Sequence, residues 1–270
     1  MKGRVLIIAG SDSGGGAGIQ ADIKAVTALN GYAATALTAL TAQNTRGVSA
    51  IHEVPVDFIA EQIGVVLQDI GADCIKIGML HRPEVIEAVA DTLDAEGEGI
   101  PVVLDTVMIA KGGASLLEDA AVKALRQSLL PRALLITPNV PEAEVLTTRS
   151  ITTAADAAEA GGELRQMGPD FVLMKGGHMA GETVVDQLIG PEGTERFESP
   201  RIDTRHTHGT GCTLASATAA GIAQGRSVRD AVVRARRYVL EAIRRAPGYG
   251  AGHGPLNHAH TFSGFDEVSG

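Results

Sequence analysis

The chain of 270 residues is 44% hydrophobic and 20% charged, so it can bury a large core. This length favours one large α/β domain over two small ones, and we expect a single domain over residues 1–270. The net charge of -9 argues against nucleic-acid binding and against a role at a membrane surface. The chain has two cysteines, Cys74 and Cys212, no signal-like N-terminus and no apolar run of the roughly 18 residues that a membrane span needs. These features predict a cytoplasmic protein with free thiols.

Apolar runs alternate with helix-like stretches along most of the chain. Residues 5–9 (VLIIA) are typical of a strand buried on both faces, and the glycine-rich loop 11–18 leads into a helix over 19–29. Further strands are predicted at 33–40, 74–79, 101–105, 133–137 and 171–175, and further helices at 58–70, 84–93, 116–130 and 153–167. This alternation predicts a mostly parallel sheet with helices on both faces.

Two features complete the predicted architecture. Residues 183–199 are typical of a hairpin around a Gly-Pro-Glu-Gly turn, which predicts an antiparallel edge added to the sheet. Ser227 caps a helix whose apolar residues fall on one side. We interpret the arginines at 234–237 as the solvated face of that helix.

The stretch 206–213 (HTHGTGCT) precedes a helix-like run at 214–220. The first amides of a helix lack partners within the helix and carry partial positive charge, so they favour a phosphate. Gly209 and Gly211 would let that phosphate approach closely. The same helix start shifts a cysteine toward thiolate, which makes Cys212 a candidate proton acceptor or nucleophile. The alternative is an ordinary glycine turn followed by a packed cysteine.

Standard nucleotide-binding fingerprints are weak or missing. Residues 16–21 (GAGIQA) fit the dinucleotide pattern G-x-G-x-x-G/A, but residues 38–43 (TALTAQ) stand where an acidic residue should follow about 20 positions later. The sequence contains no Gly-Lys dipeptide, which excludes a P-loop. The metal-binding spacings H-E-x-x-H and paired C-x-x-C are missing as well.

Polar residues follow several predicted strands at their carboxyl ends, where open α/β sheets bind ligands. Asp105 ends one strand, Asn139 follows another with Glu142 three residues later, and Lys175 ends a third. The oxygens of Asp105, Asn139 and Glu142 are suitable for Mg²⁺, directly or through water, and Lys175 can meet phosphate charge. Each has an ordinary structural explanation as a turn residue, a helix start or a lysine at a sheet edge. Together with the stretch 206–213 they supply the parts that phosphoryl transfer requires.

These motifs make a family recognisable. The sequence resembles the hydroxymethylpyrimidine/phosphomethylpyrimidine kinases of thiamine biosynthesis, which belong to the ribokinase-like superfamily. The resemblance spans about residues 5–258 and is carried by the segments 9–22 (AGSDSGGGAGIQAD), 38–47 (TALTAQNTRG), 76–79 (KIGM), 104–108 (LDTVM), 137–142 (TPNVPE), 174–178 (MKGGH) and 208–213 (HGTGCT). It implies a three-layer α/β sandwich with a mostly parallel central sheet.

The resemblance also implies an activity and a substrate pocket. Such an enzyme uses ATP and Mg²⁺ to phosphorylate the hydroxymethyl group of 4-amino-5-hydroxymethyl-2-methylpyrimidine, and then phosphorylates the monophosphate. Gln43 would pair through its carboxamide with the aminopyrimidine edge. Asp22 would add a polar contact, Met79 an apolar wall, and Val107 would lie beside them. The family implies a homodimer.

For the nucleotide, the resemblance implies three groups of residues. Asn139 and Glu142 would serve Mg²⁺ and the ATP phosphates, with Asp105 acting through water. Lys175 and Thr207 would contact the nucleotide. The run Gly209, Thr210, Gly211 and Cys212 would hold the transferring phosphoryl group. Sugar kinases of the superfamily usually place an aspartate base where Cys212 stands.

Two alternatives stay open at this point. A related pyridoxine or pyridoxal kinase would carry the same motifs, and a non-catalytic pyrimidine or nucleotide sensor would keep the pocket without turnover. His253, His258 and His260 lie within eight residues and raise the question of a metal site. We expect this tail to close over the fold instead.

Overall fold

The computed structural model describes residues 1–108 and 119–262. Its centre is a nine-stranded sheet with the order β3-β2-β1-β4-β5-β6-β7-β8-β9. The strands are β1 (Arg4–Asp12), β2 (Tyr32–Asn44), β3 (Gly47–Glu53), β4 (Cys74–Ile77), β5 (Val102–Leu104), β6 (Leu135–Ile136), β7 (Phe171–Met174), β8 (Thr183–Gly190) and β9 (Gly193–Pro200).

The six central strands pair in parallel, in the sheet order β2, β1, β4, β5, β6 and β7. The hairpin β8–β9 adds to β7 in the antiparallel direction, which confirms the predicted edge. A second antiparallel edge, β3 on β2, was not predicted. None of the seven residues of β3 is buried, so its sequence carries no clear pattern of buried residues.

Helices cover both faces of the sheet. They are α1 (Gly18–Ala28), α2 (Val56–Asp69), α3 (Pro83–Glu96), α4 (Asp119–Ala124), α5 (Val140–Thr147), α6 (Ala154–Gln166), α7 (Thr210–Ala223) and α8 (Val228–Arg244). Helices α1, α7 and α8 contribute to one core and α2 to α6 to the other. Along β1, Val5 and Ile7 enter the first core while Leu6 and Ile8 enter the second, which explains the unbroken apolar run. The predicted three-layer sandwich is confirmed.

The helix predicted at 116–130 is only partly confirmed. Residues 116–118 lie outside the described residues, and α4 covers 119–124. A π-helical turn, Leu125–Leu129, and a 3-10 turn, Leu130–Arg132, follow it. Helix α7 begins at Thr210, four residues before the predicted apolar run, so the glycine stretch belongs to the helix start itself.

The sheet order changes direction at β1, which has β2 on one side and β4 on the other. Such a switch point opens a crevice at the carboxyl ends of the strands. The residues singled out at strand ends therefore meet at this edge. Among the helices that the structure describes, none is long and apolar enough to cross a membrane.

Candidate active site

A cavity of about 1740 Å³ runs along the carboxyl edge of the sheet. Twelve of the thirteen predicted site residues line it. They are Gln43, Met79, Val107, Asp105, Asn139, Glu142, Lys175, Thr207, Gly209, Thr210, Gly211 and Cys212. The exception is Asp22. A ligand pocket commonly measures about 300–1,000 Å³, so this cavity has room for two small ligands side by side.

The start of α7 is built for close approach. Gly209 is the N-cap and has a φ of 78°, a left-handed conformation that favours glycine. A Cβ on Gly209 would lie 1.8 Å from the carbonyl oxygen of Gly16, so the glycine-rich loop and the helix start touch backbone to backbone. The first turn of α7 contains no acidic side chain. No carboxylate of this turn therefore competes for the helix-start amides, although Thr210 N and Thr213 N already donate to the carbonyls of Thr207 and Gly209. An anion at this helix start stays a prediction.

Cys212 lies in this first turn and is partly buried. Burial raises the pKa of its thiol to about 12, against the opposing effects of the Lys76 charge and a hydrogen bond from the Gly18 backbone. The expectation that the helix start shifts Cys212 toward thiolate is therefore wrong for the ligand-free protein. Desolvation of the charged form outweighs the local helix field.

Lys175 joins two acidic residues across neighbouring strand ends. Its Nζ donates to Asp105 Oδ1 at 3.0 Å and lies 3.8 Å from Glu142 Oε2. Burial alone would lower the pKa of Lys175, but these two carboxylates outweigh it and raise the pKa. Burial raises the pKa of Glu142, whereas Lys175 and Lys76 overcome the burial of Asp105 and lower its pKa. Lys175 therefore stays charged, and a bound phosphate would compete with Asp105 for it.

Asn139 and Glu142 begin α5 as a capping box. The Asn139 side chain accepts from the Glu142 amide, and Glu142 Oε2 accepts from the Asn139 amide, both at 2.9 Å. Thr106 Oγ1 also donates to Glu142 Oε2, at 3.2 Å. The capping box satisfies two helix-start amides and fixes both side chains at the cavity wall.

These residues fit a magnesium ion that arrives with its nucleotide. Asp105 Oδ2 is buried and has no hydrogen-bond partner among the residues that the structure describes. No group of three His, Cys, Asp or Glu side chains within 1–108 and 119–262 could hold a metal ion alone. Mg²⁺ commonly keeps several waters and binds one or two carboxylates together with substrate phosphates. One unpaired carboxylate oxygen beside Glu142 matches that mode.

Asp22 lies behind the cavity rather than on its surface. It is fully buried in α1, where Oδ2 accepts from Lys76 Nζ at 2.8 Å and Oδ1 accepts from Ser216 Oγ at 2.7 Å. Lys76 itself borders the cavity and is also fully buried. The expected contact between Asp22 and substrate is therefore corrected: Asp22 lies behind the cavity and pairs with Lys76, for which no role was predicted.

Met79 and Val107 form apolar parts of the cavity wall, as predicted. A Cβ on Gly10 would lie 2.5 Å from the Met79 Cε, so this methyl group covers the backbone at the end of β1. The Met79 carbonyl accepts from Thr38 Oγ1 at 2.7 Å, which fixes the backbone at this point.

Gln43 lies at a register shift near the end of β2. Its carboxamide contacts Thr41 Oγ1 at 3.1 Å and His208 Nε2 at 3.3 Å. His208 Nε2 also lies 2.8 Å from Asp12 Oδ2. Asp12 and His208 lie within the family motifs, but no role was predicted for them, because only the fold brings them together across 196 positions.

Asp12 organises the glycine-rich loop. Its two carboxylate oxygens accept from the amides of Gly14, Gly16 and Ala17 at 2.8–3.0 Å. Burial opposes the charge of Asp12, but the contact with His208 and these amides lower its pKa. An aspartate followed by several glycines is a sequence signal for such a turn, and it points to this role.

The far end of the cavity is lined by β9 and α8, which the sequence analysis did not assign to the site. Arg236 donates to Asp186 Oδ2 at 2.7 Å, and its guanidinium lies 5.3 Å from the centre of the Phe197 ring. Leu240 adds an apolar surface there. The interpretation of the arginines at 234–237 as a solvated face is therefore wrong for Arg236, which is mostly buried in this wall.

The C-terminal tail packs against the site. His253 N donates to the Thr45 carbonyl at 2.9 Å, and the Gly254 carbonyl accepts from His208 N at 3.1 Å. The tail therefore joins the turn after β2 to the stretch 206–213. His258 contacts the Tyr238 hydroxyl through Nδ1 at 2.9 Å, and burial lowers its pKa to about 4.

The fold and the site define a class of protein. An α/β sandwich that places a helix-start anion site, a strand-end lysine and paired carboxylates around one cavity is the arrangement of a small-molecule kinase with the ribokinase-like fold. Comparison with known proteins agrees. The family model for phosphomethylpyrimidine kinase matches residues 12–257, and the chain belongs to this family.

Individual relatives support the family assignment. The Bacillus subtilis hydroxymethylpyrimidine/phosphomethylpyrimidine kinase is 46% identical over 256 residues, which cover 94% of each chain. The thiamine biosynthesis bifunctional protein ThiED of Geobacter sulfurreducens is 52% identical over 257 residues, which cover 95% of this chain but 52% of that protein. The chain thus spans about half the length of that relative. A solved ADP complex of Bacillus subtilis pyridoxal kinase matches with a TM-score of 0.89 at 36% identity, covering 96% of this chain and 98% of the other.

Proposed function

We propose that this protein phosphorylates the hydroxymethyl group of 4-amino-5-hydroxymethyl-2-methylpyrimidine with ATP, and then phosphorylates the resulting monophosphate, in thiamine biosynthesis. The observation that carries the proposal is that Gln43, Lys175 and the helix start with Cys212 line one cavity. The family match and the names of the relatives support it.

Recognition of the pyrimidine falls to one wall of the cavity. The Gln43 carboxamide offers one donor and one acceptor, which match the ring nitrogen and the amino group of an aminopyrimidine. Met79 and Val107 provide the apolar surface for the ring. This arrangement directs the hydroxymethyl group toward Cys212 and the amides of the α7 start.

The transfer joins the substrate oxygen to the γ-phosphorus of ATP, breaks the bond from that phosphorus to the β-phosphate oxygen so that ADP leaves, and releases the hydroxyl proton. Cys212 accepts that proton only after its own thiol has lost a proton to solvent, because burial raises the thiol pKa in the ligand-free protein. Phosphoryl transfer is largely dissociative, so the hydroxyl keeps its proton until the leaving bond is well broken. The amides of Gly211 and Cys212 stabilise charge on the phosphoryl oxygens, and Lys175 contacts the phosphates. Lys76 stabilises the thiolate against the burial that raises the thiol pKa.

Asp105, Asn139 and Glu142 would hold Mg²⁺, directly or through water. The ion would neutralise phosphate charge when bound. The capping box keeps Asn139 and Glu142 in place. Asp105 Oδ2, which has no hydrogen-bond partner within residues 1–108 and 119–262, would be available to the ion. Thr207, whose carbonyl accepts from Thr210 Oγ1 at 2.8 Å, supports the loop that meets the nucleotide.

Purified protein with ATP, Mg²⁺ and the pyrimidine alcohol tests the proposal. We expect ADP formation that depends on both the alcohol and the metal. Cys212→Ala should lower turnover with intact folding, whereas Cys74→Ala, which changes the buried cysteine of β4, should keep it. Turnover of Cys212→Ala close to wild type would eliminate the proton-acceptor role, and tight pyrimidine binding without turnover of wild type would favour a sensor.

Pyridoxal or pyridoxine phosphorylation is the second candidate, favoured by the structural similarity to the Bacillus subtilis pyridoxal kinase. Assays with the pyrimidine and vitamin B6 alcohols side by side decide between them. We expect a higher kcat/KM for the pyrimidine. The reverse order would replace the proposed substrate without changing the proposed chemistry.

We also propose that the protein is a cytoplasmic homodimer. Its two cysteines are both free, as suits a reducing compartment. Leu40, Phe58 and Val65 expose apolar surface on β2 and α2, beside the edge strand β3. Analytical ultracentrifugation should give twice the chain mass, and Phe58→Glu should shift the protein toward monomer. A wild-type monomer at micromolar concentration would contradict the dimer.

A further inference from the structure

A short loop, residues 176–182, links β7 to β8 and forms part of the cavity wall. It begins directly after Lys175 with a 3-10 turn, Gly176–His178. Gly177 and Gly181 of the loop line the cavity, as does Lys175. The loop leads into the β8–β9 hairpin, whose strand β9 lines the far end of the cavity. It therefore connects the lysine that is proposed to meet the phosphates with the opposite end of the cavity.

The loop is packed at two points only loosely connected to its glycines. Gly176 N donates to Asp186 Oδ1 on β8 at 2.8 Å, and the partly buried Met179 side chain packs against the core. Gly177 and Gly181, on either side of Met179, have no such packing. Within the described part of the chain, a Cβ added at either glycine would meet nothing within 4 Å beyond its chain neighbours. Side-chain packing therefore does not fix these two peptide groups.

Arg201, which directly follows β9, holds the loop by its backbone. Nε donates to the Gly181 carbonyl at 2.6 Å, Nη1 donates to the Gly177 carbonyl at 2.9 Å, and Nη2 donates to the Met179 carbonyl. The Arg201 amide donates to the Glu182 carbonyl at 2.7 Å. A guanidinium group is planar and presents its N–H groups in a rigid fork. One side chain therefore sets the orientation of three alternate peptide groups of the loop.

The charge of Arg201 is not neutralised by a carboxylate. Arg196 on β9 pairs with Glu198 and Arg236 pairs with Asp186, whereas Arg201 forms no ion pair with any residue that the structure describes. Three of the five guanidinium N–H groups are used by the loop, which leaves two. Arg201 itself lines the cavity, so its positive charge also favours a polyanionic ligand there.

We infer that Arg201 is a positioning residue for nucleotide binding, which holds the loop 176–182 in the arrangement that forms the cavity wall beside Lys175. This inference rests on the proposed use of ATP. Without the three hydrogen bonds, Gly177 and Gly181 regain conformational freedom, since glycine has the most to regain. Nucleotide binding must then remove that freedom, which lowers the affinity.

The loss should concern the nucleotide and not the acceptor alcohol. The residues proposed to recognise the pyrimidine, Gln43 and Met79, lie on β2 and after β4, away in sequence from the loop and from Arg201. A substitution of Arg201 should therefore change the KM for ATP and leave the KM for the alcohol as it is. A general loss of folding would change both.

The experiment measures nucleotide binding without the acceptor. Calorimetric titrations with ADP and with AMP-PCP, both in the presence of Mg²⁺, give dissociation constants, and steady-state assays give the two KM values. Arg201→Gln removes the charge and the fork, whereas Arg201→Lys keeps the charge and removes the fork. Arg196→Gln, which breaks the pair with Glu198 on the exposed part of β9, is the matched control.

We expect Arg201→Gln to weaken the binding of both nucleotides at least about tenfold, because hydrogen bonds to a charged group are lost. The KM for ATP should rise by a similar factor. Arg201→Lys should show most of the same loss, since one ammonium group cannot hold three carbonyls in a plane. Arg196→Gln should bind nucleotides like wild type.

Two results would overturn the inference. Nucleotide affinity of Arg201→Gln equal to wild type, or a parallel rise of both KM values, would mean that Arg201 has a structural role only. Wild-type affinity in Arg201→Lys would mean that the charge suffices and that the loop needs no fork. If Arg201→Gln fails to fold, Arg201→Lys decides alone.

Failure of the proposed function gives a different result. Wild-type protein that binds neither ADP nor AMP-PCP would refute the use of ATP, and this inference with it. Wild-type protein that binds both nucleotides but phosphorylates neither the pyrimidine alcohol nor a vitamin B6 alcohol would refute the proposed acceptors. In that case the nucleotide titrations of the Arg201 variants would still decide the role of Arg201.

Discussion

Replacing Asp22 by Asn tests the buried ion pair beneath the active site. The Asp22 and Lys76 side chains are both 0% exposed, and Nζ lies 2.8 Å from Oδ2. Asn keeps the shape of the aspartate and one acceptor oxygen, which can serve Ser216. The change therefore removes the negative charge and replaces the oxygen that accepts from Lys76 by an amide nitrogen. The ammonium group of Lys76 then stays in the core without its closest counter-charge.

The expected cost follows from that burial. Breaking a buried pair by removing one partner destabilises a protein by about 3–5 kcal/mol, because the remaining charge is left desolvated. For a chain of this size each kcal/mol shifts the Tm by about 2–4 °C, so Asp22→Asn should lower it on the order of 10 °C. Asp73→Asn breaks the pair with Arg4, whose side chain is 47% exposed, and should therefore lower the Tm far less than Asp22→Asn.

Substituting Lys76 as well as Asp22 completes a double-mutant cycle. Adding Lys76→Met to Asp22→Asn removes both charges, and we expect it to restore most of the lost stability. Lys76→Met alone should depend on pH. Burial raises the pKa of Asp22 in the folded protein even beside Lys76. A carboxyl group with a raised folded-state pKa adds its full contribution to folding stability below its unfolded-state pKa. That contribution is lost as the pH rises through the folded-state pKa. Lys76→Met should therefore cost less near pH 4 than near pH 8.

Calorimetric scans of wild type, both single variants, the double variant and Asp73→Asn give the answer. A drop for Asp22→Asn no larger than for Asp73→Asn would refute the reasoning, since it would mean that Lys76 finds another partner or loses its proton at no cost. A double variant as unstable as Asp22→Asn would show that the loss comes from packing rather than from charge.

Three further predictions concern the cavity wall. Gly209→Ala should abolish turnover and lower the Tm, because its Cβ would meet the Gly16 carbonyl. The control Gly225→Ala, at a φ of 80° with no atom within 4 Å of the added Cβ, should lower the free energy of unfolding by only about 1 kcal/mol. Equal effects of the two substitutions would contradict this prediction. Alkylation of Cys212 in ligand-free protein should accelerate with pH through 10, since burial raises its pKa to about 12, and a plateau below pH 9 would contradict this. Glu142→Gln should raise the Mg²⁺ concentration for half-maximal turnover at least several-fold, and an unchanged requirement would remove Glu142 from the metal site.

Much of the fold could be predicted from the sequence because it rests on local patterns. The unbroken apolar run of β1 follows from two covered faces, and the hairpin after β7 follows from its turn residues. β3 escaped prediction because an exposed edge strand needs no apolar face. The start of α7 was placed late because apolar periodicity begins only after the glycines, while the backbone is already helical at Thr210.

The site residues likewise divide into those that the sequence pattern predicts and those that it does not. Asp105, Asn139, Glu142 and Lys175 could be found because the carboxyl ends of parallel strands share one edge. The pairs Asp12–His208 and Asp22–Lys76 could not be found from spacing, since their partners lie 196 and 54 positions apart. The resemblance placed Asp22 at the site, but only the structure shows that it lies behind the cavity and pairs with a buried lysine.

Cys212 shows why local reasoning alone gives the wrong charge state. The helix start favours a thiolate, a field that any cysteine in a first turn would feel. Burial opposes it and prevails, so the ligand-free thiol stays protonated. Lys76 is the charge that opposes burial most strongly at Cys212, and Asp22 in turn offsets Lys76. The proton affinity of the proposed acceptor is thus set by an ion pair on β4 and α1, and a change in that pair should alter the alkylation of Cys212 as well as the stability of the fold.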